Sequence, residues 1–189
     1  IFDEIPTGLG KTGRFFAAEH DGAAPDIVVL GKALGGGILP IAACVARDDL
    51  NVAGPWAYGH YTHEKNPVTA AAALATLEVI EREGLVEQAA RVGAHALERL
   101  YALKDRHPLI GDVRGRGLLL GLELVSDRAC KTPAGDAAEA VLYRALSRGL
   151  SFKTTMGNTL TLTPPLITTR EQMDDAIDIL DTCLAEVTG

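Results

Sequence analysis

The chain has 189 residues, 47% of them hydrophobic and 23% charged, which is enough apolar material for one domain with a sizeable core or two small ones. A net charge of -7 argues against a surface built for nucleic acid or anionic membrane, and no apolar run approaches the roughly 18 residues of a membrane span. Cys44, Cys130 and Cys183 are odd in number, far apart and without metal-ligand spacing, so they read as reduced thiols of a cytoplasmic protein with no metal site.

Ile1-Phe2-Asp3 opens the chain without a Met, in what reads as the middle of a strand and hence a piece of something longer. Ile1 to Glu4 is a strand end, followed by a glycine-rich loop from Pro6 to Gly13. Ile27 to Leu30 and Leu39 to Ala46 are further short apolar runs, of the kind found in a parallel α/β sheet covered on both faces. Asn66-Pro67 supplies an N-cap and a first-turn proline for a helix carrying Leu74, Leu77 and Ile80, which Gly84 breaks. A second helix runs from about Leu85 to Asp105, with Val86, Ala89, Gly93, Leu97, Leu100 and Leu103 on one face, until His107-Pro108 stops it.

The texture then changes. Ile110 to Val125 reads as glycine-punctuated strand material, and Asp136 to Ser147 as a helix closed by Gly149. Leu150 to Thr154 and Thr159 to Thr163 read as strands. A final helix starts at a capping box, Thr168-x-x-Glu171, and carries Met173, Ile177, Leu180, Leu184 and Val187 on one side. The spacing divides the chain into residues 1–90, part of an α/β domain, and residues 91–189, a small α+β domain.

Among the chain's lysines, Lys32 stands apart. It follows the buried run Ile27-Val28-Val29-Leu30 and precedes Ala33-Leu34-Gly35-Gly36-Gly37, while Asp3 sits at the end of another apolar run. An amine and an acid, each at the mouth of a buried strand, are what a pyridoxal phosphate site requires: the lysine holds the aldehyde as a Schiff base and the acid keeps the pyridine nitrogen protonated. The glycines give a tight turn, and no Gly-x-x-x-x-Gly-Lys-Ser/Thr sequence supports nucleotide hydrolysis.

Six segments together resemble the class III (ornithine/ω-amino acid) aminotransferases of pyridoxal phosphate fold type I, and cover nearly the whole chain in order. They are Asp3 to Gly13, Pro25-Asp26-Ile27, Gly31 to Gly37, Tyr61-Thr62-His63 with Asn66-Pro67, Asp112 to Gly117, and Pro164-Pro165-Leu166. The Asp3–Lys32 separation (32 - 3 = 29) is also similar to the family's. The resemblance implies an aspartate-aminotransferase-like α/β fold, with part of the large-domain sheet followed by the α+β small domain. It implies that Lys32 carries the cofactor and then moves a proton at the substrate carbon, that Asp3 pairs with the pyridine nitrogen, and that Thr62 reaches the cofactor phosphate of a neighbouring subunit in a homodimer with shared active sites.

Three departures bear on substrate. Pro6 stands where the family has a glutamine near the cofactor's phenolic oxygen, and has no hydrogen to donate. His63-Glu64-Lys65 replaces an aromatic and two glycines, making His63 a pocket candidate. Thr161 stands where many members have an arginine that grips the substrate's α-carboxylate. Arg114 and Arg116 belong to the family's framework rather than to that role. The resemblance therefore implies amino transfer from an amine or ω-amino donor to a keto acid or aldehyde. Two alternatives keep the cofactor: a lyase acting on an amino-alcohol phosphate or phosphonate, and an enzyme like the dialkylglycine decarboxylase, whose sequence the stretch Ile110 to Gly121 resembles. A third reading is an inert remnant, since the piece alone lacks half a large domain.

Overall fold

The computed structural model describes residues 1–53, 56 and 61–188, which fold as two compact units, Ile1–Glu87 and Gln88–Gly189. The division falls in the first turn of a continuous helix, α2 (Leu85–Arg106).

In the first unit, strands β1 (Phe2–Asp3), β2 (Ile27–Leu30) and β3 (Ala43–Ala46) form one sheet in that order. β1 and β2 run parallel, with Phe2 opposite Val28 and Asp3 opposite Val29. β3 returns antiparallel, and it is shorter than the expected Leu39–Ala46 strand. Pro40 has no N–H to give to a ladder, and the β2–β3 connection holds only a 3-10 turn, too little for the crossover that parallel pairing needs. β3 is also largely exposed rather than covered on both faces.

Helix α1 (Pro67–Arg82) begins as its sequence suggests: the Asn66 side chain accepts a hydrogen bond from the Val68 N–H at 2.9 Å, with proline at the first position. It ends at Glu83, and Gly84 turns the chain out at φ +59°. Its buried residues are Ala73 and Ile80; Leu74, expected on the buried side, is 61% exposed. The alanine run makes the helix without deciding which side is covered. Asn66→Ala removes the one side-chain partner of the first turn, so we expect a loss of about 1 kcal/mol in chemical denaturation, with Asn66→Asp close to wild type.

The second unit has an antiparallel sheet in the order β4 (Ile110–Arg116), β5 (Leu119–Asp127), β8 (Thr159–Leu162), β7 (Lys153–Thr155), with a two-residue strand β6 (Thr132–Pro133) on the far end of β5. The expected β7 region, Leu150 to Thr154, is displaced toward the turn at Met156-Gly157. One face of the sheet, with Val113, Leu120, Leu122, Leu124, Leu160 and Leu162, packs against α2, α3 (Gly135–Ser147) and α4 (Arg170–Thr188). Leu100, Leu103, Val141, Ile177, Leu180 and Leu184 of those helices are fully buried. Burying each such side chain is worth about 1.5–3 kcal/mol, so this layered core holds the unit together.

Charges tie α2 to α4 at the rim. Asp174 meets His95 and Arg99, each at 2.6 Å, and Asp181 meets Arg106 at 2.7 Å and His107 at 2.5 Å. The hydrogen bond from His95 and the charge of Arg99 hold the Asp174 carboxyl below its ordinary value. The α4 capping box lies one residue later than expected. The Thr169 hydroxyl oxygen accepts from the Gln172 N–H at 3.2 Å while the Gln172 side chain accepts from the Thr169 N–H at 3.0 Å. Thr168 instead is buried, and its carbonyl accepts from Gln88 at 3.2 Å. None of the described helices is long and apolar enough to cross a membrane.

Candidate active site

Asp3 is the last residue of β1 and Lys32 follows β2 by two positions, so parallel pairing brings both to the carboxyl end of neighbouring strands. That end of an open α/β sheet is where ligands bind. The ladder continues one step past the paired residues, with the Glu4 N–H donating to Val29 O at 2.9 Å. One oxygen of Asp3 accepts from the Ile5 N–H at 3.0 Å, which orients the exposed carboxylate and leaves its other oxygen for a ligand.

Lys32 starts a 3-10 turn, Lys32–Gly35, in the left-handed region at φ +45°. A lysine in that region carries strain of about 1–2 kcal/mol, so the surrounding structure must hold it there. Leu34 and Gly35 of the turn are buried. Gly36 turns at φ +68°, and a Cβ there would stand 3.1 Å from Thr76 Oγ1 of α1. Helix α1 thus backs the turn that presents the exposed lysine. Among the described residues Lys32 has no ion-pair partner.

Glu4 is a residue that sequence reasoning did not single out. It is 3% exposed, accepts from the Ala18 N–H at 2.9 Å and from the Thr7 hydroxyl, and so fastens the end of β1 to the 3-10 helix Ala17–Asp21. No pattern of residues distinguishes it from its neighbour Asp3; only burial does. In the same loop, burial lowers the Lys11 amine from its ordinary value.

A cavity of about 290 Å³ opens beside Asp3, lined also by Glu4, Thr7 and Asp21. Three carboxylates make it a poor seat for an anionic group, and Lys32 does not line it. The Lys32 side of the strand ends is the better candidate.

Pro6 is exposed in the turn closed by the Gly8 N–H donating to Glu4 O at 2.9 Å. Thr62 and His63 are exposed in the turn before α1, whose Lys65 is at φ +58°. Thr161 is half-buried on β8 in the second unit, its hydroxyl 2.8 Å from that of Thr155. Among the described residues no group of three or more His, Cys, Asp or Glu side chains could hold a metal, and Cys44, Cys130 and Cys183 are free thiols.

The model of the family Aminotransferase class-III matches residues 1–184, and the chain belongs to that family. It is 48% identical over 187 residues to an (R)-1-hydroxy-2-aminoethylphosphonate ammonia-lyase of Vibrio splendidus, covering 99% of this chain and 39% of the relative. It is 44% identical to a leucine/methionine racemase of Thermococcus litoralis, covering 98% of this chain and 42% of that one. The fold matches an amine transaminase from an uncultivated Pseudomonas species, solved in its pyridoxal phosphate-bound form, with a TM-score of 0.91 at 32% identity over 97% of this chain and 43% of that chain. The chain therefore spans about two fifths of the length of the relatives it matches, and its fold is that of pyridoxal phosphate transaminases of fold type I. Pyridoxal 5'-phosphate is the cofactor that goes with this family and fold.

The residues fit that group at the two points this unit offers. Lys32 is an accessible amine at one strand end, and Asp3 is a carboxylate with a free oxygen at the next.

Proposed function

We propose that the protein releases ammonia from a small amino alcohol whose acidic group is a phosphonate or phosphate, using pyridoxal phosphate held by Lys32 and Asp3. The observation that carries this reading is Thr161. A threonine bonded to Thr155 stands where the family's resemblance places the arginine that grips an α-carboxylate. A hydroxyl cannot replace a bidentate guanidinium, so the substrate is one that needs no such grip. The ammonia-lyase relative, whose named substrate is an aminoalkyl phosphonate, supports the same reading.

When bound, the cofactor's pyridine ring supplies the electron sink for chemistry at the amino-bearing carbon. Lys32 would hold the cofactor through its amine and would take the proton from the substrate's amino-bearing carbon. The hydroxyl on the neighbouring carbon would leave as water, and a second water would hydrolyse the C–N bond to give ammonia and an aldehyde, so no acceptor is consumed. Asp3, its carboxylate oriented by the Ile5 N–H, would keep the pyridine nitrogen protonated. Thr62, exposed ahead of α1, would reach the cofactor phosphate of a partner subunit, as the resemblance implies, which would make the working unit a homodimer. Pro6 and His63 shape the surroundings of the site.

The second reading is amino transfer from an amine donor to a keto acid, favoured by the likeness to a solved amine transaminase. One experiment separates them. The full-length protein is given 1-hydroxy-2-aminoethylphosphonate without any keto acid, and ammonia is measured. Continuous ammonia release over many turnovers is the expected result. Ammonia-free conversion that stops after one turnover and resumes with a keto acid would establish transfer instead.

A further inference from the structure

Resting on the reading that Asp3 and Lys32 hold the cofactor, we propose that the buried Glu4 is a positioning residue. Through the turn Glu4–Gly8 it fixes the Asp3 carboxylate and its spacing from Lys32, and so secures the proton on the pyridine nitrogen.

The turn touches both anchors. Among the described residues the one hydrogen bond to the exposed Asp3 carboxylate comes from the Ile5 N–H, at 3.0 Å. The Ile5 side chain meanwhile lies over Gly31, the residue before Lys32. A Cβ added there would meet Ile5 Cγ2 at 3.5 Å and Cγ1 at 3.6 Å, ordinary van der Waals distances. At the turn's other end, a Cβ on Gly8 would stand 3.3 Å from Leu30 Cδ2, the last residue of β2, and 2.9 Å from Glu4 O. One short segment thus holds the carboxylate at the end of β1 and packs against the end of β2, all within the first unit.

Glu4 keeps that segment in place, because each of its polar atoms has a partner. Its N–H donates to Val29 O at 2.9 Å and its carbonyl accepts from the Gly8 N–H at 2.9 Å. One carboxylate oxygen accepts from the Ala18 N–H at 2.9 Å and the other from the Thr7 hydroxyl. These partners belong to β2, to the turn itself and to the 3-10 helix Ala17–Asp21. A buried carboxylate bonded at both oxygens has one arrangement, and the main chain it shares with Asp3 and Ile5 inherits it. Misplacing a reacting group by about 1 Å costs on the order of a hundredfold in rate, so Glu4 matters without touching the cofactor.

Two substitutions separate holding the turn from merely filling space. The cavity of about 290 Å³ beside Asp3 is lined by Thr7 and Ala18 as well as Glu4. Water therefore reaches both donors in Glu4→Ala, which frees the turn without stranding a buried polar group. Glu4→Gln preserves the clamp: its amide oxygen accepts from the Ala18 N–H and its NH2 group donates to the Thr7 oxygen.

The full-length protein is loaded with pyridoxal phosphate isotopically labelled at the ring nitrogen, whose NMR resonance reports protonation. Absorbance titration of the cofactor-free protein gives the affinity. Glu4→Ala is expected to move the resonance from the protonated toward the unprotonated position and to weaken cofactor binding by about tenfold. Glu4→Gln is expected to restore the resonance, with affinity within about threefold of wild type. Thr7→Val, which removes one of the two side-chain bonds, is expected to fall between them, and it decides the question if Glu4→Ala does not fold. A lowered unfolding midpoint in Glu4→Ala with wild-type resonance and affinity overturns the positioning role. So does a Glu4→Gln protein as impaired as Glu4→Ala, or a Thr7→Val protein indistinguishable from wild type. Asp3→Ala keeps the two readings apart. A resonance that it leaves unmoved sinks the assignment of Asp3 and the role of Glu4 with it; one moved by Asp3→Ala but not by Glu4→Ala sinks the role of Glu4 alone.

Discussion

Replacing Lys32 with alanine in the full-length protein is expected to lower turnover by at least about a thousandfold, because in the proposed mechanism one side chain would both anchor the cofactor and move the proton. Its two jobs are separable in measurement. Loss of the anchor removes the visible absorbance of the lysine-bound cofactor, and borohydride reduction of wild type should leave the cofactor attached to the peptide containing Lys32 and to no peptide of the variant. Loss of the base persists when an external amine is added to compete for the aldehyde. The substitution spares the fold, since Lys32 is exposed and only Leu34 and Gly35 of its turn are buried. Turnover within tenfold of wild type, or a trapped peptide elsewhere, would remove Lys32 from the site.

Gly93→Ala is expected to destabilise the second unit by about 3 kcal/mol, the upper end for overpacking a core. An alanine in the middle of a helix is ordinarily favoured over glycine by about 1 kcal/mol, so the sign of the effect decides the matter. A Cβ on Gly93 would lie 2.1 Å from the Gly117 carbonyl oxygen, 2.3 Å from its carbon and 2.5 Å from its Cα. Those are backbone atoms of the turn joining β4 to β5, and Gly117 is itself at φ +52°, so no side chain can swing aside. The clash outweighs the propensity. Equilibrium urea unfolding of the full-length protein checks it, with the exposed neighbour Ala94→Gly as the reference for propensity alone. A Gly93→Ala protein as stable as wild type would mean that α2 does not approach the turn this closely.

The helices were legible because their ends are written in local chemistry: Asn66-Pro67, Gly84, Gly149 and the apolar stripes of α2 and α4. The α4 start slipped by one residue for an equally local reason. Thr168-Thr169 and Glu171-Gln172 offer two overlapping capping boxes, and only the tertiary bond from Gln88 to the Thr168 carbonyl shows which threonine is taken into the core. Leu39 to Ala46 looked like a full strand because hydrophobicity says nothing about a missing N–H partner at Pro40. That Asp3 and Lys32 each follow an apolar strand could be read from the sequence, but their adjacency depends on the parallel β1–β2 pairing.

The left-handed backbone of Lys32 has an evolutionary consequence. Glycine adopts φ +45° without the penalty that any side chain incurs there, so stability alone would favour glycine at this position, and with it the loss of the proposed activity. The proposed role of Lys32 would supply a selection for lysine that opposes this gradient. Mutational scans scored by abundance and by activity should therefore rank substitutions at residue 32 in opposite orders, a signature that separates reactive positions from structural ones.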